Sequence, residues 1–361
     1  MTGERRLRVG VVGLDHYHVT GWVETIEQFQ RDLEIVALFD PDPERGRSLA
    51  PEYVDPSLRP SLGEAYRALP FETSLEALID KHRLDIALVT LPNRDAPAAI
   101  ERLGRAGIHM LVDKPAAKNA SSARRAFSAA RSGGSRVVVG LTRRFSPAAQ
   151  AARGLIASGG LGRFTAAEAI FTASSVEVRG PANPLFSREL SGGGILAWLG
   201  VHDLDALLWL AGEPVLEVMA MASTVDKRID VEDVISVALR FAGGAIATVH
   251  NAFALPARGY RPALALRGSS ASVELSLDNE LVVLTAGPDG SLQEKRTQFD
   301  VTDAPGYGSS GKAAVEDLLT AIGEGRDPSV TGEDLVRALE LIDAAYESAR
   351  TGCRIVLKQG G

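Results

Sequence analysis

The chain of 361 residues has a single cysteine, Cys353, so no internal disulfide can form and a disulfide-stapled scaffold is excluded. It also lacks cationic excess. Lys and Arg number 39 against 46 Asp and Glu, a net charge of −7, which excludes bulk electrostatic attraction to nucleic acid or an anionic membrane surface. No apolar run approaches the roughly 18 residues needed to span a bilayer, because Gly, Pro or charge interrupts each one within a dozen positions. Met1 to Arg8 is charged, and the apolar stretch after it is broken by Gly10 and Gly13, which is not a signal-peptide pattern. A soluble protein of a reducing compartment, the cytoplasm, is expected. What is present is ordinary globular composition, 45% hydrophobic and 24% charged, over more length than one core serves. Two domains and small-molecule chemistry follow as the default.

The first third alternates β-branched runs with helical patterns. Leu7–Leu14, Glu34–Asp40, Asp85–Leu91, His109–Asp113 and Arg136–Leu141 are nearly continuous in Val, Ile and Leu, as strands buried on both faces are. Thr73–His82, Ala96–Ala106 and Ser121–Arg131 carry apolar residues at helical spacing. Repeated βαβ units of this kind predict a doubly wound parallel sheet of α/β class. After a helix at Pro147–Ala157 the pattern changes to strands without alternating helices: 164–171, 215–222, 233–241, 245–252, 263–267, 271–275 and 280–284, with Gly243-Gly244 as a hairpin turn. A second, α+β domain with a largely antiparallel open sheet is therefore expected, the division being 1–144 and 145–361. Leu196–Ala211, Ala313–Ile322 and Glu333–Ala349 read as helices. Pro305–Gly311 reads as the most flexible stretch, a linker or mobile loop.

The first strand runs into Gly10-Val11-Val12-Gly13-Leu14-Asp15-His16-Tyr17-His18. In a dinucleotide-binding unit a glycine-rich turn brings backbone N–H groups and a helix N-terminus to the pyrophosphate, and an acid ending the second strand holds ribose hydroxyls. Gly13 fits the first glycine, but Asp15 stands in place of the second and His18 in place of the third. Asp40 fits the acid; it also fits a helix cap. Pro41 after it offers no cation for a 2′-phosphate, so NAD is expected and NADP disfavoured. Asp15, His16 and His18 have ligand-type side chains, yet no further ligands stand near in sequence, and no metal is expected. A histidine donating to phosphate, or capping the helix, is the alternative.

Four further segments carry a resemblance: Leu88–Asn93 (LVTLPN), Val112-Asp113-Lys114-Pro115, Gly140–Pro147 (GLTRRFSP) and Ser191–Asp205 (SGGGILAWLGVHDLD). In order and spacing they resemble the Gfo/Idh/MocA oxidoreductases, the second with Asp in place of Glu in an E-K-P signature and the last matching G-G-G…D-x-G-x-H-x-x-D. The resemblance implies a Rossmann domain, a second domain often used for oligomerisation, and hydride transfer between nicotinamide and a hydroxyl carbon of a sugar, polyol or derivative. It implies catalytic roles for Lys114 and His202, and cofactor contacts from Gly13, Leu14, Asp15, His16, Asp40, Thr90, Pro92, Asn93, Asp113 and Lys114. Arg144, Trp198 and Asp205 are expected at the substrate, in a pocket between the domains that Arg143, the loop Val176–Arg188 and Tyr260 also line. The implied partners are a sugar-like small molecule and a second or further copy of the chain, a homodimer or homotetramer through the C-terminal sheet; neither nucleic acid nor membrane is expected.

Without the resemblance, Lys114 reads as a surface lysine before a turn proline and His202 as a core histidine. Trp198 occupies the position of an aspartate one helical turn before the histidine, and Ala96 replaces a histidine after the Pro-Asn pair. The indole either stacks on substrate or is packed in the core. An NAD- and sugar-binding sensor without turnover, and a lyase or hydrolase that uses NAD transiently, stand as alternatives.

Overall fold

The computed structural model describes residues 5–14, 18–44, 66, 68–226, 228–255, 257, 259–276, 279–300 and 304–357. Asp15 and His16 of the first turn lie outside them. The chain divides into two compact units, Met1–Thr142 with Thr302–Val336, and Arg143–Val301 with Arg337–Gly361. The crossover at 142–143 falls in the Gly140–Pro147 segment. Residues 302–336, placed by the sequence reading after the division at 144, lie with the first unit.

In the first unit β1 (Leu7–Val12), β2 (Leu33–Phe39), β3 (Phe71–Glu72), β4 (Ile86–Val89), β5 (His109–Val112) and β6 (Val137–Val139) form a parallel sheet in the order β3-β2-β1-β4-β5-β6. The apolar runs account for it: β4 and β6 are buried throughout, so neither face tolerates a polar residue. Around them are α1 (His18–Ile26), α2 (Leu75–His82), α3 (Ala96–Arg105) and α4 (Ala120–Ser132). Hydroxyl and amide caps set two starts, Ser74 Oγ accepting from Ala77 N for α2 and Asn119 Oδ1 from Ser122 N, 2.9 Å, for α4.

The second unit opens with α5 (Pro147–Ala157), capped by Ser146, and β7 (Phe164–Ala173). A widened, π-helical turn at Leu196–Gly200 runs on into α6 (Val201–Ala211). Then come β8 (Val215–Ser223), β9 (Val234–Phe241), β10 (Ile246–Ala252), β11 (Tyr260–Gly268), β12 (Ala271–Ser276), β13 (Glu280–Ala286), β14 (Leu292–Gln298) and, after the last helix, β15 (Ile355–Val356). The sheet order is β14-β13-β12-β11-β7-β10-β9-β8-β15, antiparallel except where β7 meets β10. Helix α5 lies against β12 and β13, and α6 against β7 and β11. The helical run Arg188–Ala211 has the length and hydropathy to cross a bilayer, contrary to the reading that no segment does, but 78% of its apolar window is buried. Its apolar side chains serve the core.

Two readings need correction. Strand β14, LQEKRTQ, gives no apolar alternation because its residues are almost all exposed at the sheet edge; the backbone ladder to β13 and an Arg296–Glu280 ion pair at 3.1 Å hold it. Pro305–Gly311 is not a loose linker. Tyr307 stacks on Trp22 with ring centres 4.3 Å apart, its N donates to Thr25 Oγ1 at 3.0 Å, and α7 (Gly308–Glu324) begins at the next residue and packs on α1 and β6. The last helix, α8, is Gly332–Thr351.

Between β5 and β6, His109 Nδ1 accepts from Arg136 N at 3.0 Å, which a ring protonated there cannot do. Burial first, and the Arg136 charge second, hold the imidazole below its ordinary value. A base depressed in the folded state contributes stability that is present above the unfolded value, about pH 6.5, and lost as pH falls through that range. Urea unfolding between pH 7 and pH 5 should therefore show a steeper loss for the wild type than for His109→Asn, whose Oδ1 can accept the same bond; parallel slopes would remove His109 as the source.

Candidate active site

The turn after β1 is fixed from three sides. Gly13 has φ +99°, and a Cβ there would come within 2.7 Å of Leu91 N, so only glycine allows the close approach of the turn to the end of β4. Thr90 Oγ1 donates to Gly13 O at 2.6 Å, and Gly13 N donates to Phe39 O at 2.8 Å. Asp40, 2% exposed at the end of β2, accepts from Leu14 N at 2.7 Å through Oδ2 and from Asp42 N at 3.0 Å through Oδ1. Its carboxylate thus reaches across to the glycine turn, a bond that neither the ribose nor the capping reading anticipates. Leu14 and Thr90 are buried; Pro92 and Asn93 are half-buried where β4 gives way to α3.

Asp113 follows β5 directly and Lys114 follows Asp113; both are buried, Lys114 to 4% exposure. Asp113 Oδ1 accepts from Trp22 Nε1 at 2.9 Å, and Oδ2 lies 2.8 Å from His18 Nδ1. His18, the departure at the third glycine position, is the first residue of α1. The first unit therefore brings together Gly13, Leu14, Asp40 and Thr90 at one turn, and Asp113 and Lys114 at the end of β5.

In the second unit the glycines of the Ser191–Asp205 segment let backbone pass close to a buried acid. A Cβ at Gly194 would stand 1.9 Å from Glu232 O. Glu232 Oε2 accepts from Gly194 N at 2.7 Å, and Oε1 from Leu196 N at 3.1 Å and from Tyr346 Oη at 2.8 Å. Burial pushes its carboxyl up, and these donors work against that. Glu232 thereby anchors the start of the run that carries His202, and sequence reading missed it, since nothing in the local pattern around it marks a helix anchor.

The acids after His202 are paired within the unit. Arg144 and Asp205, 6% and 1% exposed, form a bidentate ion pair, with Nε 2.9 Å from Oδ2. Asp203, fully buried, accepts from Arg143 and from Asn251 Nδ2 at 2.8 Å, while Arg143 lies over the Phe171 ring at 4.9 Å. Burial pushes the Asp203 carboxyl up against the pull of Arg143. His202, at the second position of α6, is partly buried. Trp198 is 3% exposed, with Phe186 and Phe253 beside its ring and the Arg179 guanidinium 5.0 Å from its centre.

A family model described as an oxidoreductase family with an NAD-binding Rossmann fold matches residues 7–141, and the GFO/IDH/MocA C-terminal domain matches 149–274. The chain belongs to the Gfo/Idh/MocA oxidoreductase family. It is similar to the inositol 2-dehydrogenase of Rhizobium meliloti (strain 1021), 26% identical over 321 residues covering 88% of this chain and 89% of that one. It is similar also to D-xylose 1-dehydrogenase (NADP(+)) 2 of Haloferax volcanii, 27% identical over 79% and 84% of the two chains. Among solved structures, levoglucosan dehydrogenase in complex with NADH and levoglucosan shares the fold, with a TM-score of 0.84 and 20% identity over 98% of this chain and 100% of that one.

Removing one partner of a buried ion pair strands the other's charge, at about 3–5 kcal/mol. Asp205→Ala should lower unfolding stability by about that much because Arg144 stays buried, whereas a loss under about 1 kcal/mol in urea titration would show that water or another acceptor replaces the carboxylate.

Proposed function

We propose that the protein transfers hydride between NAD and a hydroxyl-bearing carbon of a sugar, a polyol or a derivative of one, with Lys114 and His202 carrying the reaction. The observation that carries this reading is a lysine only 4% exposed at the carboxyl end of a strand in a parallel dinucleotide-type sheet. A lysine that far from solvent at such a strand end is a candidate for the reaction.

Support comes from the turn after β1, where Gly13 presents no side chain, Asp40 supplies the acid at the end of β2, and Thr90, Pro92 and Asn93 border the neighbouring strand end. Asp15 and His16, outside the described residues, remain in this reading by their place in the sequence. The residue directly after Asp40 is Pro41, which offers no cation to a 2′-phosphate, and this favours NAD over NADP.

When bound, the nicotinamide supplies the hydride acceptor. His202 takes the proton of the substrate hydroxyl, since imidazole titrates near neutrality. Lys114 can donate its ammonium hydrogens to a substrate oxygen and offset negative charge that builds there. The carboxylates of Asp203 and Asp205 hold Arg143, Asn251 and Arg144, so they serve His202 by fixing α6. Trp198, also read as lining the substrate site, replaces the acid found in many relatives one turn earlier, and that substitution is what favours the second reading, a sensor that binds without turnover.

Titration with NAD or NADH should raise unfolding stability by about 2.7 kcal/mol at a hundredfold excess over Kd. With a panel of sugars and polyols, His202→Ala should lower kcat by about 10²–10⁴ and leave nucleotide affinity within threefold. Binding without any absorbance change at the nicotinamide band would select the sensor; no binding of any nicotinamide nucleotide would end both readings.

We also propose that the chain pairs with a copy of itself through the outer face of the nine-stranded sheet. Ile170, Met219, Met221 and Ile246 stand out on it, 45%, 53%, 80% and 40% exposed, and Ile170, His250, Ser236 and Met221 lie opposite one another across four strands. Met221→Asp should halve the mass seen by light scattering, and an unchanged mass would place the contact elsewhere. The exposed thiol of Cys353 suits the reducing cytoplasm, where we place the protein.

A further inference from the structure

Two positions that depart from the family motifs stand against each other in space. His18 replaces the third glycine of the turn, and Asp113 replaces the glutamate before the lysine, 95 residues away; their side chains meet at 2.8 Å. We propose that His18 and Trp22 are positioning residues for Lys114, acting through Asp113, so that the cofactor turn and the reacting lysine form one clasped unit; this rests on the redox reading above.

The geometry is specific. His18 and Trp22 lie one turn apart on one face of α1. Each reaches a different oxygen of Asp113: Nδ1 at 2.8 Å from Oδ2, and Nε1 donating to Oδ1 at 2.9 Å. With Nδ1 facing a carboxylate, the ring proton sits there and donates. Both oxygens are thus directed at α1, and the carboxylate cannot rotate without breaking a bond to it. All three residues are more than nine-tenths buried, with relative exposures of 9% for His18, 0% for Trp22 and 7% for Asp113. Tyr307 closes the arrangement from outside, stacked on Trp22 and edge-on to His18 with ring centres 5.6 Å apart.

The consequence passes along the backbone. Asp113 and Lys114 share a peptide unit, so a clamp on the Asp113 side chain fixes where the lysine stem begins. His18 is also the first residue of α1, which follows the Gly13 turn. An aspartate is one methylene shorter than the glutamate of the family motif, and the imidazole at position 18 spans the gap that a glycine there would leave. In this sense the two departures form one change. A displacement of the lysine by about 1 Å is enough to cost on the order of 10²-fold in rate.

The test compares His18→Ala with His18→Asn, whose side-chain amide can donate from nearly the place of Nδ1. Turnover of the wild type's best sugar or polyol is measured alongside the KM for NAD, together with the rate at which an amine reagent labels Lys114 in nucleotide-free protein, referred to Lys118. The clasp predicts that His18→Ala lowers kcat about tenfold or more with KM for NAD within threefold, and speeds Lys114 labelling several-fold, while His18→Asn restores both to within about threefold. If kcat and labelling of His18→Ala both stay within twofold of wild type, the clasp is overturned and the redox reading stands. If labelling changes as expected but no substrate turns over in any form, the clasp stands and the redox reading falls. Should His18→Ala not fold, Trp22→Phe, which removes only the N–H, carries the same comparison.

Discussion

A carboxylate taken out of water keeps its place only where donors replace the lost hydration, and this fold is organised around five that do. Asp40, Asp113, Asp203, Asp205 and Glu232 are all less than 8% exposed. Each accepts hydrogen bonds from a segment distant in sequence: the glycine turn, the first face of α1, the Arg143-Arg144 pair, and the backbone that enters the run to His202. None of these acids is itself a strand or helix former of note. Their effect is to locate the glycine turn, the backbone at the lysine and the helical run that carries the histidine. Among the donors, Leu14, Trp22, Arg144 and Asn251 are buried like the acids they serve, so those contacts are costly to lose from either side.

Much of this was legible in the chain. Strands buried on both faces need apolar residues at every position, and the runs at 86–89 and 137–139 have them; strands with one wet face need alternation, and 234–241 has it. The glycine turn and the Asp-Lys-Pro and Gly-Gly-Gly segments are local, so local reading finds them. What it missed is of two kinds. Strand β14 carries charge at nearly every position because it lies at an edge, where the ladder to β13 supplies the order that side chains do not. Tyr307 was hidden by its glycine neighbours: glycine content reads as looseness, although here the ring between the glycines packs on Trp22.

The other kind is contact between positions with no shared signature. Glu232 and Gly194 stand 38 residues apart, and His18 and Asp113 stand 95 apart. Periodicity cannot see such pairs, and a motif compared position by position records a departure at each end without recording that the departures touch. Read separately, a histidine in a glycine-rich turn crowds the helix against the strand, and an aspartate in place of glutamate falls short. Read as a contact, the longer side chain at one position makes up the reach lost at the other.

Trp198, too, is matched to its neighbours. An acid at that position would stand beside Phe186 and Phe253, rings that offer a carboxylate no hydrogen bond. The indole suits both rings by its edges and face, and it presents a π surface to Arg179, whose guanidinium lies 5.0 Å from the ring centre. The substitution is therefore embedded in its surroundings. The acid it replaces has not moved to a neighbouring position on the helix either, since Asp203 and Asp205 are held by arginines and an asparagine of the same unit.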